Sequence, residues 1–320
     1  MIRKNSQIEG RPRHTLICGA NNMGSQFWWF YDVIVVAAVL VCMFVTAKKG
    51  LMRAAISLVG YALSIGIALS ASSSVANSFY EGSIRASNIK KLDYNISNGD
   101  FYSDFANYLD NLGYDLSVDS VRLEKICTSE KDIDGSIYEY LNNINNRVVD
   151  PEGIFMDKLH EGYASLISGL VSKQLSEYSA EYAAEQIRKK PSTIYKYMRL
   201  VREPDFKEPA AEYIVDSYLE KPYKTQIRLV CLMLLMIVFI IITLFIETVA
   251  NKKDHIEDSI VTKTMSGLIG VFKGAVIVFL IAVMVRLYVV LGSNKMLFFN
   301  HEAIDNSYIF KYVYNFIKDM

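Results

Sequence analysis

FWWFYDVIVVAAVLVCMFVTAKKGLMRAAISLVGYALSIGIALSASSSVA, Phe27 to Ala76, carries the reading of this chain. From Trp28 to Thr46 its single charge is Asp32, at the edge of the run. A helix of about 20 apolar residues crosses the roughly 30 Å hydrocarbon layer of a bilayer, and a soluble core helix rarely runs that long without a polar face. The stretch therefore predicts a membrane helix. Lys48, Lys49, Gly50 and Arg53 follow, and apolar character then resumes to about Ala71. The return is so close that residues 27–76 are expected to form a transmembrane helical hairpin on a basic hinge.

A second hairpin is expected over 227–292. Arg228 to Ala250 carries no charge until Glu247, and Ser266 to Leu291 encloses two cations, Lys273 and Arg286. Small residues recur at helical spacing on two spans: Ser57, Gly60, Ser64, Ala68 and Ala71 on the second, and Gly267, Gly270 and Gly274 on the fourth. In lipid such stripes let helices approach closely, because packing replaces the hydrophobic effect between them. Lys273 and Arg286 are 13 residues apart. That is about 20 Å along a helix, so each is placed to reach its nearer membrane surface.

Between the hairpins, residues 77–226 read as a soluble helical domain. They show mostly helical periodicity without alternating Val/Ile runs, and turn clusters are few before the breaks at Pro191 and Pro204–Pro209. The clearest element is Ile154 to Arg188, read as one long helix; others are expected near 101–112, 134–148 and 207–224. Abundant tyrosine (Tyr94, Tyr102, Tyr108, Tyr138, Tyr140, Tyr195, Tyr197, Tyr213) is read first as filling the helical core with its hydroxyls left wet, and otherwise as a partner- or polysaccharide-binding face.

The chain has 34 basic and 34 acidic residues, but they are unevenly placed. Residues 77–226 hold 18 Lys+Arg against 25 Asp+Glu, a net of −7, leaving 16 and 9, a net of +7, for the rest. The acidic segment offers no basic stripe to neutralise phosphates, which argues against a nucleic-acid partner. The mean hydropathy of +0.18 together with 21% charged residues fits a chain part membrane, part water-exposed. The four isolated cysteines encode neither a disulfide framework nor a zinc site.

The ends are read separately. Residues 1–26 lack apolar periodicity, and a GGAG ribosome-binding sequence fits the codons of Gly19-Ala20, so translation is expected to start at Met23. In the 293–320 tail, Ile304, Tyr308, Ile309, Tyr312, Val313, Phe316 and Ile317 form an amphipathic stripe, predicting a helix lying on the membrane surface with Asp305 or Asn306 as its cap.

No HExxH, CxxC, GxGxxG, Walker or GxSxG element occurs, and the four histidines lie in unrelated contexts. No catalytic, cofactor-binding or metal-ligating residue is assigned, and the chain is not expected to be an enzyme. The paired Asp132 and Asp134 read as charge complement at a helix start. The membrane ions carry more weight, since ionisable groups in a span are costly and default to a function. Opposite charges at one level should pair, giving expected contacts of Asp32 with Arg286 and of Glu247 with Lys273 or Arg53.

The membrane part resembles the colicin V production protein family. The resemblance rests on Asp32 entering the first span, on Lys49-Gly50 and Arg53 in the hinge with Leu58 and Gly60 after it, and on Gly267, Gly270, Lys273 and Gly274 in the fourth span. It covers about 31–75 and 228–316. Ala54 stands where a hinge Glu is usual, and 77–226 has no counterpart in short members. The resemblance implies a four-helix protein of the bacterial cell membrane supporting colicin V or toxin production or export and envelope homeostasis, without assigning catalytic residues. The partners expected are the bilayer and either further copies of the chain or another envelope protein. A small oligomeric transporter or channel is the alternative. The hinges are rich in Lys and Arg, which favours a cytoplasmic location and places 77–226 outside the cell.

Overall fold

The computed structural model describes residues 27–202, 207–250, 259–291 and 301–320; the expectations for residues 1–26, for Lys252 and Lys253 and for 293–300 fall outside them. Every regular element in the described residues is helical. In chain order these are α1 (Trp28–Ala47), α2 (Leu51–Phe79), α3 (Arg85–Ser97), α4 (Phe101–Asp110), α5 (Ser120–Ser129), α6 (Ile133–Asn145), α7 (Glu152–Ser172), α8 (Glu177–Lys189), α9 (Ile194–Val201), α10 (Glu208–Ile214), α11 (Glu220–Ala250), α12 (Ile260–Leu291), α13 (His301–Asp305) and α14 (Phe310–Lys318). Four helices are long and apolar enough to cross a membrane: α1, α12, and the two extended helices spanning Leu51–Ser97 and Glu208–Ala250.

Those extended helices govern the architecture. Both expected domain edges, 76/77 and 226/227, fall inside continuous helix. Each helix passes through one wide π-turn, Tyr80–Ile84 in the first and Val215–Leu219 in the second, closed by hydrogen bonds from Arg85 N–H to Tyr80 O and from Glu220 N–H to Val215 O. The second turn lies just before Pro222, whose ring and missing N–H would clash with a regular α-helical ladder. At about 1.5 Å per residue, the 47 residues of Leu51–Ser97 extend roughly 70 Å, well beyond a bilayer core. The two helices pack along their length and are tied at the π-turns. Arg85 donates to Asp216 at 2.7 and 2.8 Å and to Glu212 at 2.6 Å, while Lys224 meets Glu220 at 2.6 Å and Glu81 at 3.1 Å. The hydrogen bonds to Asp216, then Glu212, hold the Arg85 guanidinium above its ordinary pKa.

Two hydrophobic cores result. One, between Tyr80 and Leu219, is built by α3 to α10 around Phe105, Leu123, Phe155, Leu159 and Tyr163, all fully buried. The other lies in the four-helix bundle and takes in Tyr31, Tyr61, Leu232, Val283 and the tail residues Phe310, Tyr314 and Ile317. Within the bundle, α1 packs chiefly on α12 and α2 chiefly on α11, so consecutive spans are not each other's main partners.

Several sequence expectations are corrected here. The long helix over 154–188 is two, α7 and α8, packed against each other. Ser176 starts the second by accepting the Ser179 N–H. The apolar period runs through both because each faces the same core, and folding back lets them share it. The tyrosines do fill that core, but several hydroxyls are paired rather than wet. Tyr102 donates to Met198 O, Tyr108 to Lys158 O, Tyr138 to Asp150 O and Tyr213 to Thr193 O. Cys127 is fully buried, and desolvation pushes its thiol pKa up to about 12. The tail is two short helices, and α14 takes its cap from neither Asp305 nor Asn306.

Candidate functional site

The buried charges fall into two clusters at opposite ends of α12. Ser57, Ser64 and Ala68 of the stripe expected on α2 turn inward, joined along the helix by Ala54, Tyr61, Ser72 and Ala76, while Ala71 is only half-buried. Gly60 lies against α11, where an added Cβ would come within 2.3 Å of Thr243 Oγ1. Gly270 and Gly274 play the same part between α12 and α1. A Cβ on either would lie 2.6 Å from α1 backbone, at Cys42 and Met43 for Gly270 and at Val39 for Gly274. Gly267 is buried but looser, with Ala47 and Met43 at 3.7 and 3.8 Å. Close approach at these glycines brings polar side chains from three helices and the hinge together.

Glu247, with 5% of its side chain exposed, is the centre of that group. Lys49, in the hinge, meets its Oε2 at 2.5 Å; Ser57 donates to its Oε1; Lys273 lies 3.4 Å from the same oxygen. The Lys273 ammonium also sits 4.7 Å from the centre of the Tyr61 ring, a cation–π arrangement. The expected pairing of Glu247 with Lys273 is thus present, and Lys49 and Ser57 join it. Gly50 caps α2 with ordinary extended backbone and is buried; Arg53 lies half-buried in the next turn. Ala54 is buried, and the carboxylate facing the hinge cations comes from α11.

At the other end of α12 the expected Asp32–Arg286 pair does not form. Asp32 instead accepts three backbone N–H groups at the start of α14, from Tyr308 at 2.7 Å, Ile309 at 2.9 Å and Phe310 at 3.1 Å. A carboxylate there satisfies orphan donors and faces the positive end of the helix. The placement of Asp32 is legible in the sequence, but its partners are backbone amides, which carry no signature there. Arg286, 6% exposed, lies between Tyr314 of α14 and Tyr178 of α8. Its guanidinium nitrogens reach the two hydroxyls at 3.4 and 3.3 Å, and its carbon is 5.8 and 5.9 Å from the two ring centres. No ion pair of Arg286 occurs among the described residues. Tyr31 stacks on Phe310 at 4.8 Å, and Trp28 meets Tyr308 edge-on at 5.0 Å, so the start of α1 is sealed to the tail.

Chemically, the hinge-end cluster is a buried carboxylate shared by two ammonium groups and a hydroxyl. The other cluster is a buried guanidinium caged by phenols, beside a helix capped from another segment. Together with the fold they define the class: an all-helical chain with four helices long and apolar enough to cross a membrane, compatible with a multi-pass membrane protein. Neither family models, nor curated proteins, nor solved structures match this chain.

Proposed function

We propose that this chain is a multi-pass protein of the bacterial cell membrane, of the colicin V production type, working through contacts rather than catalysis. Its four spans hold 77–226 as a soluble helical domain outside the cell, available to an envelope or toxin-export partner. The observation that carries the reading is mechanical. Two helices run unbroken from the bundle into the domain, and Arg286 of the bundle is gripped by Tyr178 of the domain and Tyr314 of the tail. A domain joined by two stiff helices and a buried contact reports its load to the membrane part. The motif residues support the family reading through their roles: Gly270 and Gly274 pack spans, while Lys49 and Lys273 share Glu247.

The test is crosslinking in living cells from Val121, an exposed residue of the 77–226 segment, followed by identification of what is captured. An envelope protein recovered reproducibly supports the reading; capture of cytoplasmic proteins alone overturns it. Orientation is tested with single cysteines at positions 121 and 255 and a membrane-impermeant thiol reagent. Labelling at 121 and protection at 255 is expected, and the reverse places the domain inside. Buried Cys127 is not suited to this purpose.

The buried Glu247–Lys273 pair favours a second reading, a small oligomeric transporter or channel. Against it, the α12 core between Lys273 and Arg286 is lined by Val276, Phe279, Ala282 and Val283, so one copy has no polar path along that helix. Solute flux through liposomes holding the purified chain would establish the second reading.

A further inference from the structure

Where the domain meets the bundle there is a cavity of about 540 Å³, bounded by α2, α8, the upper turns of α11 and the end of the tail. We propose that it binds the headgroup of an anionic phospholipid, with the lipid phosphate held by Arg228, Lys221 and Lys318. The electrostatics leave cation to spare. Of the acids lining the cavity, Asp216 is engaged by Arg85 and Glu220 by Lys224. Arg228 is engaged by the Met320 oxygen, so Asp319 remains against Lys221 and Lys318. Lys221 and Lys318 make no ion pair among the described residues; Lys221 rests at 6.0 Å over the Tyr182 ring. Arg228 donates one Nη1 bond to the main-chain oxygen of Met320, while its Nε is sealed from water without a partner. Ser73 and Asn77 of α2 and Thr225 of α11 add neutral hydrogen-bonding groups to the wall.

The level of the cavity identifies the source of the phosphate. Below Arg228 no charge occurs on α11 from Leu229 to Ile246, so Arg228 stands where apolar span gives way to polar surface. The tail that supplies Lys318 also exposes Tyr308, Tyr312 and Phe316, and α1 exposes Trp29 near the same end. Aromatic side chains of this kind mark the headgroup layer, where basic pockets beside spans hold lipid phosphates. The inference uses neither the membrane orientation nor the partner proposed above.

Native mass spectrometry of the full chain in detergent micelles, titrated with phosphatidylglycerol or phosphatidylcholine, tests it. The anionic lipid should bind about tenfold more tightly, and Lys221→Gln with Lys318→Gln should remove the preference. That pair leaves Arg228 and its contact with the tail intact. Lys311→Gln, on the same tail but outside the cavity, should keep it. Equal binding of the two lipids, a preference surviving the double variant, or an equal loss in Lys311→Gln would each overturn the site. Displacement of the lipid by millimolar glycerol phosphate would overturn the lipid assignment in favour of a free phosphate.

Discussion

The two ends of α12 satisfy a buried cation in different ways. Lys273 finds a carboxylate, Glu247, which it shares with Lys49 and Ser57, and all four groups belong to the bundle or its hinge. Arg286 finds two phenols, one from α8 and one from α14, with no ion pair among the described residues. The hinge-end cluster therefore fastens spans to one another, whereas the other fastens spans to what lies beyond them. Guanidinium suits the second task, since its plane receives ring faces and hydroxyls from two directions, where a point-like ammonium does better beside one acid.

The sharpest way to break this comparison is at Glu247. Glu247→Ala leaves Lys49 and Lys273 facing each other without an anion, and removing one partner of a buried pair costs about 3–5 kcal/mol. Unfolding of the purified protein in detergent should show a loss of that order, while the 77–226 core keeps its own transition. Replacing Glu247 and Lys273 together by Gln and Met should recover part of the loss. A small effect in the single variant would mean that the carboxylate is solvated in practice.

Packing at the same end comes next. Gly270→Ala puts a methyl 2.6 Å from the backbone of α1, which must move, at a cost of about 1–3 kcal/mol; Gly267→Ala, with neighbours at 3.7 Å, should be close to neutral. Equal effects of the two would show that α1 does not sit against Gly270.

At the other end, Asp32→Ala removes an acceptor of three N–H groups, and a lost cap costs about 1 kcal/mol. Hydrogen exchange should quicken over α14 and leave α2 and α11 unchanged. Exchanging the charges, Asp32→Arg with Arg286→Asp, should rescue nothing; rescue would restore the direct pair that charge-matching alone predicts.

The smallest effects belong to the phenols. Tyr178→Phe and Tyr314→Phe each delete one hydroxyl, worth about 0.5–1.5 kcal/mol in general and often about 0.6 in a membrane setting. The difference between the ends predicts where they act: Tyr178→Phe should raise protease sensitivity between 172 and 177, at the junction of domain and bundle. A variant that lowers bundle stability alone would erase the distinction.

What composition and spacing disclose in this chain is local. Long, mostly apolar runs announced α1, α11 and α12, because a membrane span must satisfy its backbone internally and hide its surface in hydrocarbon, which leaves a length and a composition to read. The small-residue stripes announced close helix contact for the same reason. The break between α7 and α8 was hidden because a folded-back pair facing one core keeps the period of a single helix. The continuity of α2 into α3 and of α10 into α11 was hidden as well, since a change from apolar to polar residues does not by itself end a helix.

Among the charges, the sequence determined that Asp32, Glu247, Lys273 and Arg286 sit at costly places and need partners. Only the tertiary structure decided which partners. Depth alone gave Glu247 two candidates, Lys273 and Arg53, because all three are side-chain ions near one level; Lys49 and Ser57 were not among them. Asp32 went to the amides leading into α14, 276 to 278 residues away, and Arg286 to tyrosines of two other segments. Backbone donors are common to every sequence, and a phenol becomes a ligand only when folding carries it to a charge. Such partners are set by how segments dock, which no local pattern encodes.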